Sequence, residues 1–281
     1  MALKKSNGSD VEKLLDQLDE EEAPELSEIS VDEDGFVRDV PLLAGYVDPD
    51  TGIRHTTFSY REMTGRDEEA INKAEVRQNG GKLINVLLER CVTEIGTLTK
   101  KELGTKKWGE VIRSMYSGDL DYMAFKIREL SKGKEIEFVH TCPECKSKLT
   151  TVVNTDEFSV IPFNGLDKIE FTLPRGYKDK KGNVHRDGTL RLLNGYDREI
   201  VVPLFKKNGS TATTLMMTRL MKFNDGTPIF SDNIADLSLR DRDYIEKLIQ
   251  ENNFGLDMSV EINCPNCGAD ISGEIGQSNF F

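Results

Sequence analysis

Four of the five cysteines in this 281-residue sequence stand in two C-x-x-C pairs. Cys142 and Cys145 lie in "VHTCPECKSKLTTVV", Cys264 and Cys267 in "INCPNCGADISGEI". Thiolates are soft ligands suited to zinc, but two sulfurs fill only half of a tetrahedral site. Zinc ribbons place the second pair about 15–20 residues after the first. Here it follows 122 residues later, so spacing alone is a weak signal. Two other readings stand beside the metal: reduced cysteines that close a turn, and a thioredoxin-like redox pair. The redox reading is disfavoured because each pair lies between strand-like runs and not at a helix N-terminus. Cys91 stands by itself on an apolar helix face and is expected in the core.

The wider sequence explains the distance. Residues 118–145 align with residues 240–267 without a gap. Asp119, Asp121, Tyr122, Gly133, Cys142, Pro143 and Cys145 match Asp241, Asp243, Tyr244, Gly255, Cys264, Pro265 and Cys267 at one constant offset. Upstream, Gly45, Tyr46, Asp48, Gly52, His55, Arg61, Gly65 and Asp67 match Gly176, Tyr177, Asp179, Gly182, His185, Arg191, Gly195 and Asp197. A period of this length is the size of a domain, not of a solenoid repeat. The expectation is a tandem duplication of an α+β domain, the copies related by pseudo-two-fold symmetry. Its parts are an acidic segment 1–34, a first repeat 35–155, a second repeat 156–276 and an aromatic tail 277–281. If the cysteine-tipped hairpins meet on the axis, four thiolates converge into one closed structural zinc site.

Each repeat reads as a hairpin, two or three helices, then the cysteine hairpin. The opening hairpins turn at "DPDTG" and "DKKGN", where the glycine position calls for positive φ. Helices are predicted to start near Asp67 and Asp197, with these residues as N-caps. Leu83, Ile84, Leu87, Leu88, Cys91, Val92 and Ile95 follow helical spacing, as do Leu215, Met216, Leu220 and Met221. A third helix, "DLDYMAFKIRELSKG", has Asp119 as a candidate cap and stops at Gly133. The pairs in "DLDY" and "DRDY" read as caps or surface carboxylates.

The net charge is −12, with 37% hydrophobic and 31% charged residues. Basic residues are scattered, so a nucleic-acid face is not the default. No stretch nears 18 uninterrupted apolar residues, and the N-terminus lacks the apolar core of a secretory signal. A reducing cytoplasm is expected. The acidic leader is predicted to be largely disordered, although Val11, Leu14, Leu15 and Leu18 also allow a short docking helix. Phe280 and Phe281 suit docking into a partner or back onto the body. His55 and His185 hold equivalent positions after the hairpin turns and read as hydrogen-bonded strand-end residues. His140 could replace a displaced cysteine ligand. No phosphate loop, dinucleotide fingerprint, nucleophile elbow or zinc-protease helix occurs, so a non-enzyme is expected.

"DLDYMAFKIRELSKGKEIEFVHTCPECKSKLTTVVN" resembles the C-terminal part of baseplate hub proteins and hub assembly factors of T-even-like contractile-tailed phages. "FTLPRGYKDKKGNVHRDGTLRLLNGYDREI" is similar to the opening hairpin of a phage tail assembly family whose members are described as chaperones. One departure is Lys146, where the knuckle usually carries glycine, as at Gly268. The resemblance implies a role in building a contractile tail, with baseplate hub or tape-measure proteins as partners. It implies work in the host cytoplasm during assembly, and a place in the virion if the protein stays. The protein would act as a monomer or within a larger tail complex. The competing reading is a zinc-ribbon nucleic-acid-binding regulator; Lys146 and Lys148 fit it, but the second knuckle is acidic.

Overall fold

A computed structural model describes residues 31–274. The leader around Val11–Leu18, read as disordered or as a short docking helix, and the tail at Phe280–Phe281 lie outside the described residues. The architecture is α+β, with all strand pairing antiparallel.

The first part opens with β1 (Phe36–Val47) and β2 (Arg54–Arg61), extended by β3 (Val92–Ile95) and β4 (Leu98–Thr99) into a four-stranded sheet. Five helices accompany it: α1 (Gly65–Ile71), α2 (Ala74–Arg77), α3 (Gly80–Cys91), α4 (Lys100–Ser114) and α5 (Ser117–Lys132). The cysteine hairpin β5 (Glu135–Thr141) and β6 (Lys148–Asn154) follows, then β7 (Ser159–Ile161). The second part follows a similar order without counterparts of α2 and β4. It has β8 (Lys168–Lys178), β9 (Val184–Arg191), α6 (Gly195–Phe205), α7 (Gly209–Leu220), β10 (Met221–Phe223), α8 (Ser231–Ala235) and α9 (Leu239–Glu251). It closes with β11 (Gly255–Asp257) and the hairpin β12 (Ser259–Asn263) and β13 (Asp270–Glu274).

Both opening turns behave as the sequence suggests, with Gly52 at φ 73° and Gly182 at φ 89°. The helix starts differ from expectation. Thr64 and Asn194 are the caps, and Asp67 and Asp197 sit three residues later in capping boxes. That position lets each carboxylate do more than cap. Asp67 is fully buried and receives Arg61 at 2.7 Å and Arg90 at 2.6 Å; Asp197 receives Arg191 at 2.5 Å and Arg219 at 2.7 Å. Each Arg–Asp–Arg clamp ties the end of the hairpin to two helices.

The apolar run at 83–95 is also divided differently. α3 stops at Cys91, and Val92 and Ile95 continue as β3, with Val92 opposite Tyr60. Both residues are fully buried, so helix and strand share one apolar core and one run of sequence serves both. Met221 likewise leaves α7 for β10.

Asp119 and Asp241 are neither surface carboxylates nor caps. α5 begins after Tyr116, and Asp119 instead accepts the backbone amides of Leu43, Ala44 and Gly45 at 2.7, 3.2 and 3.0 Å. Those residues form the irregularity in the β1–β2 register, whose unpaired amides need an acceptor. Asp241 accepts Arg175 N at the corresponding irregularity of β8. Burial pushes Asp119 up to about 6, against the three amides and Arg54, which favour the charged form.

Each part has its own core, one around Tyr60, Leu87, Trp108 and Phe58, the other around Phe171, Tyr177, Phe223 and Ile245. Two smaller clusters join them. Met258 packs with Phe125, Ile136, Val153 and Phe158; Cys264 packs with Cys142 and Leu149. β7, which lies between the first cysteine hairpin and β8, pairs with β11. α3 also lies on α6, close enough that a Cβ on Gly81 would stand 2.5 Å from the Arg198 carbonyl carbon. Asn79 and Asn85 bond the α6 backbone at Glu199 and Gly195, and Arg113 bridges Glu89 and Glu199. Among the described residues no comparable contact joins α7 to α1, so this packing is one-sided. The counterpart of Gly81 on α7 is Ser210, whose side chain bars the same approach.

Candidate metal centre

The two cysteine hairpins are built alike. β5 and β6 pair in unbroken register from Glu135↔Asn154 to Thr141↔Lys148, and β12 and β13 from Ser259↔Glu274 to Asn263↔Asp270. Continuous two-residue alternation carries each cysteine pair to the tip. There the first cysteine closes the turn twice. Cys142 N donates to Ser147 O at 2.9 Å, and Lys146 N donates to Cys142 O at 3.1 Å. Cys264 N donates to Ala269 O and Gly268 N to Cys264 O, both at 2.8 Å. The residue after the second cysteine has positive φ in both, 60° at Lys146 and 72° at Gly268. Lys146 therefore holds a glycine-type conformation, and the departure in sequence leaves the turn unchanged.

The tips meet. Cys142 Sγ stands 3.8 Å from Cys267 Sγ, and Cys145 Sγ stands 3.7 Å from Cys264 Sγ. All four sulfurs lie within 4.8 Å of one another. Each short contact therefore joins the first cysteine of one pair to the second cysteine of the other. A zinc–thiolate bond of about 2.3 Å gives a tetrahedron with sulfur–sulfur edges of about 3.8 Å. The shorter separations match that value, and the four cysteines could hold a metal ion. Four sulfurs would close a tetrahedral site and leave no position for substrate, which suits a structural ion.

Burial divides each pair. Cys142 and Cys264 are buried beside Leu149, Ala269 and Ile271, whereas Cys145 and Cys267 are exposed. The Ser147 hydroxyl, 3.2 Å from Cys145 Sγ, and the Ser147 amide favour the thiolate and bring Cys145 down to about 6. Cys267 moves the other way, to about 12: the Ala269 amide lowers it, but Cys264, burial and the other sulfurs outweigh that. Four neighbouring sulfurs repel one another as thiolates, and a cation removes that conflict.

His140 stands on β5 opposite Leu149 and is not one of the four. His55 and His185 are far from the tips in sequence and sit in the opening hairpins, opposite Tyr46 and Tyr177. His55 is buried, with Thr97 N at 3.4 Å from Nδ1. His185 lies between Asp225, 2.6 Å from Nδ1, and Asp179, 3.3 Å from Nε2. Both are hydrogen-bonded strand-end residues, as expected. Cys91 is in the first core, where burial pushes its thiol up to about 12. Ser147 and the clamp arginines Arg90 and Arg219 escaped the sequence reading. The arginines occupy matching places in "LLERCV" and "MMTRLM", and that match was their available signal.

Residues 49–200, more than half of the chain, match the family model described as T4 bacteriophage base plate protein. The chain belongs to this baseplate family. The matched span includes Cys142 and Cys145 and ends before Cys264 and Cys267. No curated protein and no solved structure matches the chain. Family membership assigns a structural or assembly role in a T4-like phage baseplate, carried out in contact with other tail proteins of the virion. No helix among the described residues is long and apolar enough to cross a membrane.

Proposed function

We propose that this baseplate protein is a non-enzymatic hub component or hub assembly factor whose two halves are fastened by one structural zinc. Cys142, Cys145, Cys264 and Cys267 hold the ion. The halves, 35–155 and 156–276, are duplicated domains, and the similar order of elements and the two Arg–Asp–Arg clamps support that reading. The observation that carries the proposal is the meeting of two hairpin tips 122 residues apart with sulfur separations of 3.7 and 3.8 Å. An ion there supplies cross-linking and charge balance, not catalysis. The protein's work is then binding: it presents a rigid pair of domains to hub or tape-measure segments during assembly in the host cytoplasm.

The test is elemental analysis of untagged protein, paired with thiol titration. One zinc per chain, absent from both Cys142→Ser and Cys264→Ser, is the expected result. A metal-free chain with four freely titrating thiols overturns the zinc fastening. Phage carrying Cys264→Ser are expected to give few complete baseplates by electron microscopy; normal tails from a strain lacking the whole protein would remove the hub role.

A further inference from the structure

The two opening hairpins share a backbone plan but carry opposite charge at their tips. The first, "VDPDTGIR", has Asp48 and Asp50 against Arg54. The second exposes Arg175, Lys178, Lys180, Lys181 and Arg186. None of these five is in an ion pair with another described residue. Acids beside them are hydrogen-bonded elsewhere, and Asp241 accepts the Arg175 amide. Asp179 accepts the amides of Lys181 and Asn183 and faces His185; Asp225 binds His185; Asp187 accepts the Thr172 hydroxyl. Lys180 Nζ lies 5.0 Å from the centre of the Phe230 ring, which is itself exposed. With five cations against Asp179, Asp187 and Asp225, two of which share His185, the tip is a net cationic surface with an aromatic edge.

The counter-charge lies elsewhere in the sequence. Residues 1–34 hold twelve of the 49 acidic residues and three of the 37 basic ones, a balance of −9 out of −12. Its densest run is Asp19–Glu22. That segment joins the described protein at the base of the first hairpin, where Asp32 N donates to Phe36 O and Arg38 pairs with Asp32. The tip of the first hairpin reaches the base of the second through Arg54 and Asp167. Contacts thus run base to tip, then base to tip. The acidic segment enters at one end of that run, and the cationic tip stands at the other. The nearer tip carries Asp48 and Asp50, the latter paired with Lys107, and offers no comparable cluster of cations.

We propose that the β8–β9 tip is the docking site for the acidic segment Asp16–Glu28 of a second copy of this chain. Such a contact joins unlike surfaces, so it links copies head to tail and can close into a ring. It is electrostatic and exposed, so it weakens as salt shortens the Debye length.

Sedimentation of the full-length protein tests this at about 50 mM and about 500 mM salt, where screening differs several-fold. In low salt the mean mass should exceed the 31.7 kDa of one chain, and in high salt it should return to that value. The triple variant Lys178→Glu, Lys180→Glu, Lys181→Glu should associate at least about tenfold more weakly, with an unchanged melting temperature. Adding Glu20→Lys, Glu21→Lys and Glu22→Lys should restore association. A monomer at every salt concentration overturns the proposal, as does association indifferent to the tip variant. A tip that binds duplex DNA while the protein stays monomeric also overturns it, in favour of a nucleic-acid surface.

Discussion

Asp67 and Asp197 show how one side chain can settle a local fold. Each stands three residues into the start of a helix, closes a box with the N-cap residue and binds two arginines from different elements. Burial would raise both carboxyls, but hydrogen bonds from the arginines and cap residues hold them below the ordinary range. A carboxyl lowered in the folded state contributes stability above its unfolded value near 4, and loses it as pH falls through the folded value. Acid unfolding should therefore begin below about pH 4, and the Asp67→Ala or Asp197→Ala variants should lose that dependence. Each should cost about 3 kcal/mol in urea titrations, since a buried partner is lost while the arginines keep contact with solvent. His185 has the opposite sign. The hydrogen bond to Asp225 raises it despite partial burial, and Asp179 adds to the effect. A histidine raised in the folded state contributes stability below its unfolded value near 6.5 and loses it as pH climbs through the folded one. The melting temperature should thus fall between neutral and mildly alkaline pH, and Asp225→Asn should flatten that fall. These residues were visible in the sequence as matched pairs, but their roles were not. An aspartate at a helix start looks like a cap whether it occupies the first position or the fourth, and only the partners contributed by distant elements tell the two apart.

At the scale of elements, the sequence was most informative where chemistry was local. Hairpin turns, the end of α5 at Gly133 and the cysteine hairpins all follow from residues within a few positions of one another. It was least informative where an element answers to a remote partner. Asp119 and Asp241 read as caps or surface groups because the strand irregularities they serve lie about 70 residues away. The pairing of β7 with β11 left no trace in periodicity, since both strands are three residues long. Val92 and Ile95 kept helical spacing while lying in a strand, because both faces of that run are buried. Two substitutions test this level. Asp119→Ala strands three amides without an acceptor and should cost about 3 kcal/mol in chemical denaturation. Gly81→Ala places a methyl against the α6 backbone and should cost at least about 2 kcal/mol; Gly65→Ala, with nothing within 4 Å, should be neutral.

For the whole molecule, the crossed contacts at the four sulfurs and the one-sided contact of α3 on α6 describe different kinds of joint. The α3–α6 joint is a packed, hydrogen-bonded surface that includes none of the four cysteines, so it should survive removal of an ion. The sulfur joint is small and depends on thiolates, so metal affinity should rise with pH. Chelation of the proposed zinc should therefore loosen the two cysteine hairpins first. Hydrogen exchange is expected to accelerate in β5, β6, β12 and β13 while the α3–α6 contact stays protected. Uniform acceleration throughout both halves would mean that the ion supports the entire fold.

The four sulfurs also fix an order of events during synthesis. Cys145 leaves the ribosome 122 residues before Cys267. At a translation rate of about 5–20 residues per second, the first pair waits roughly 6 to 24 s for the second. Throughout that interval the first hairpin carries two thiols open to oxidants, to stray metal and to the cysteine pair of a neighbouring nascent chain. Closure within a single chain then depends on the second half folding in place, which makes the cluster a record that synthesis has passed the second pair.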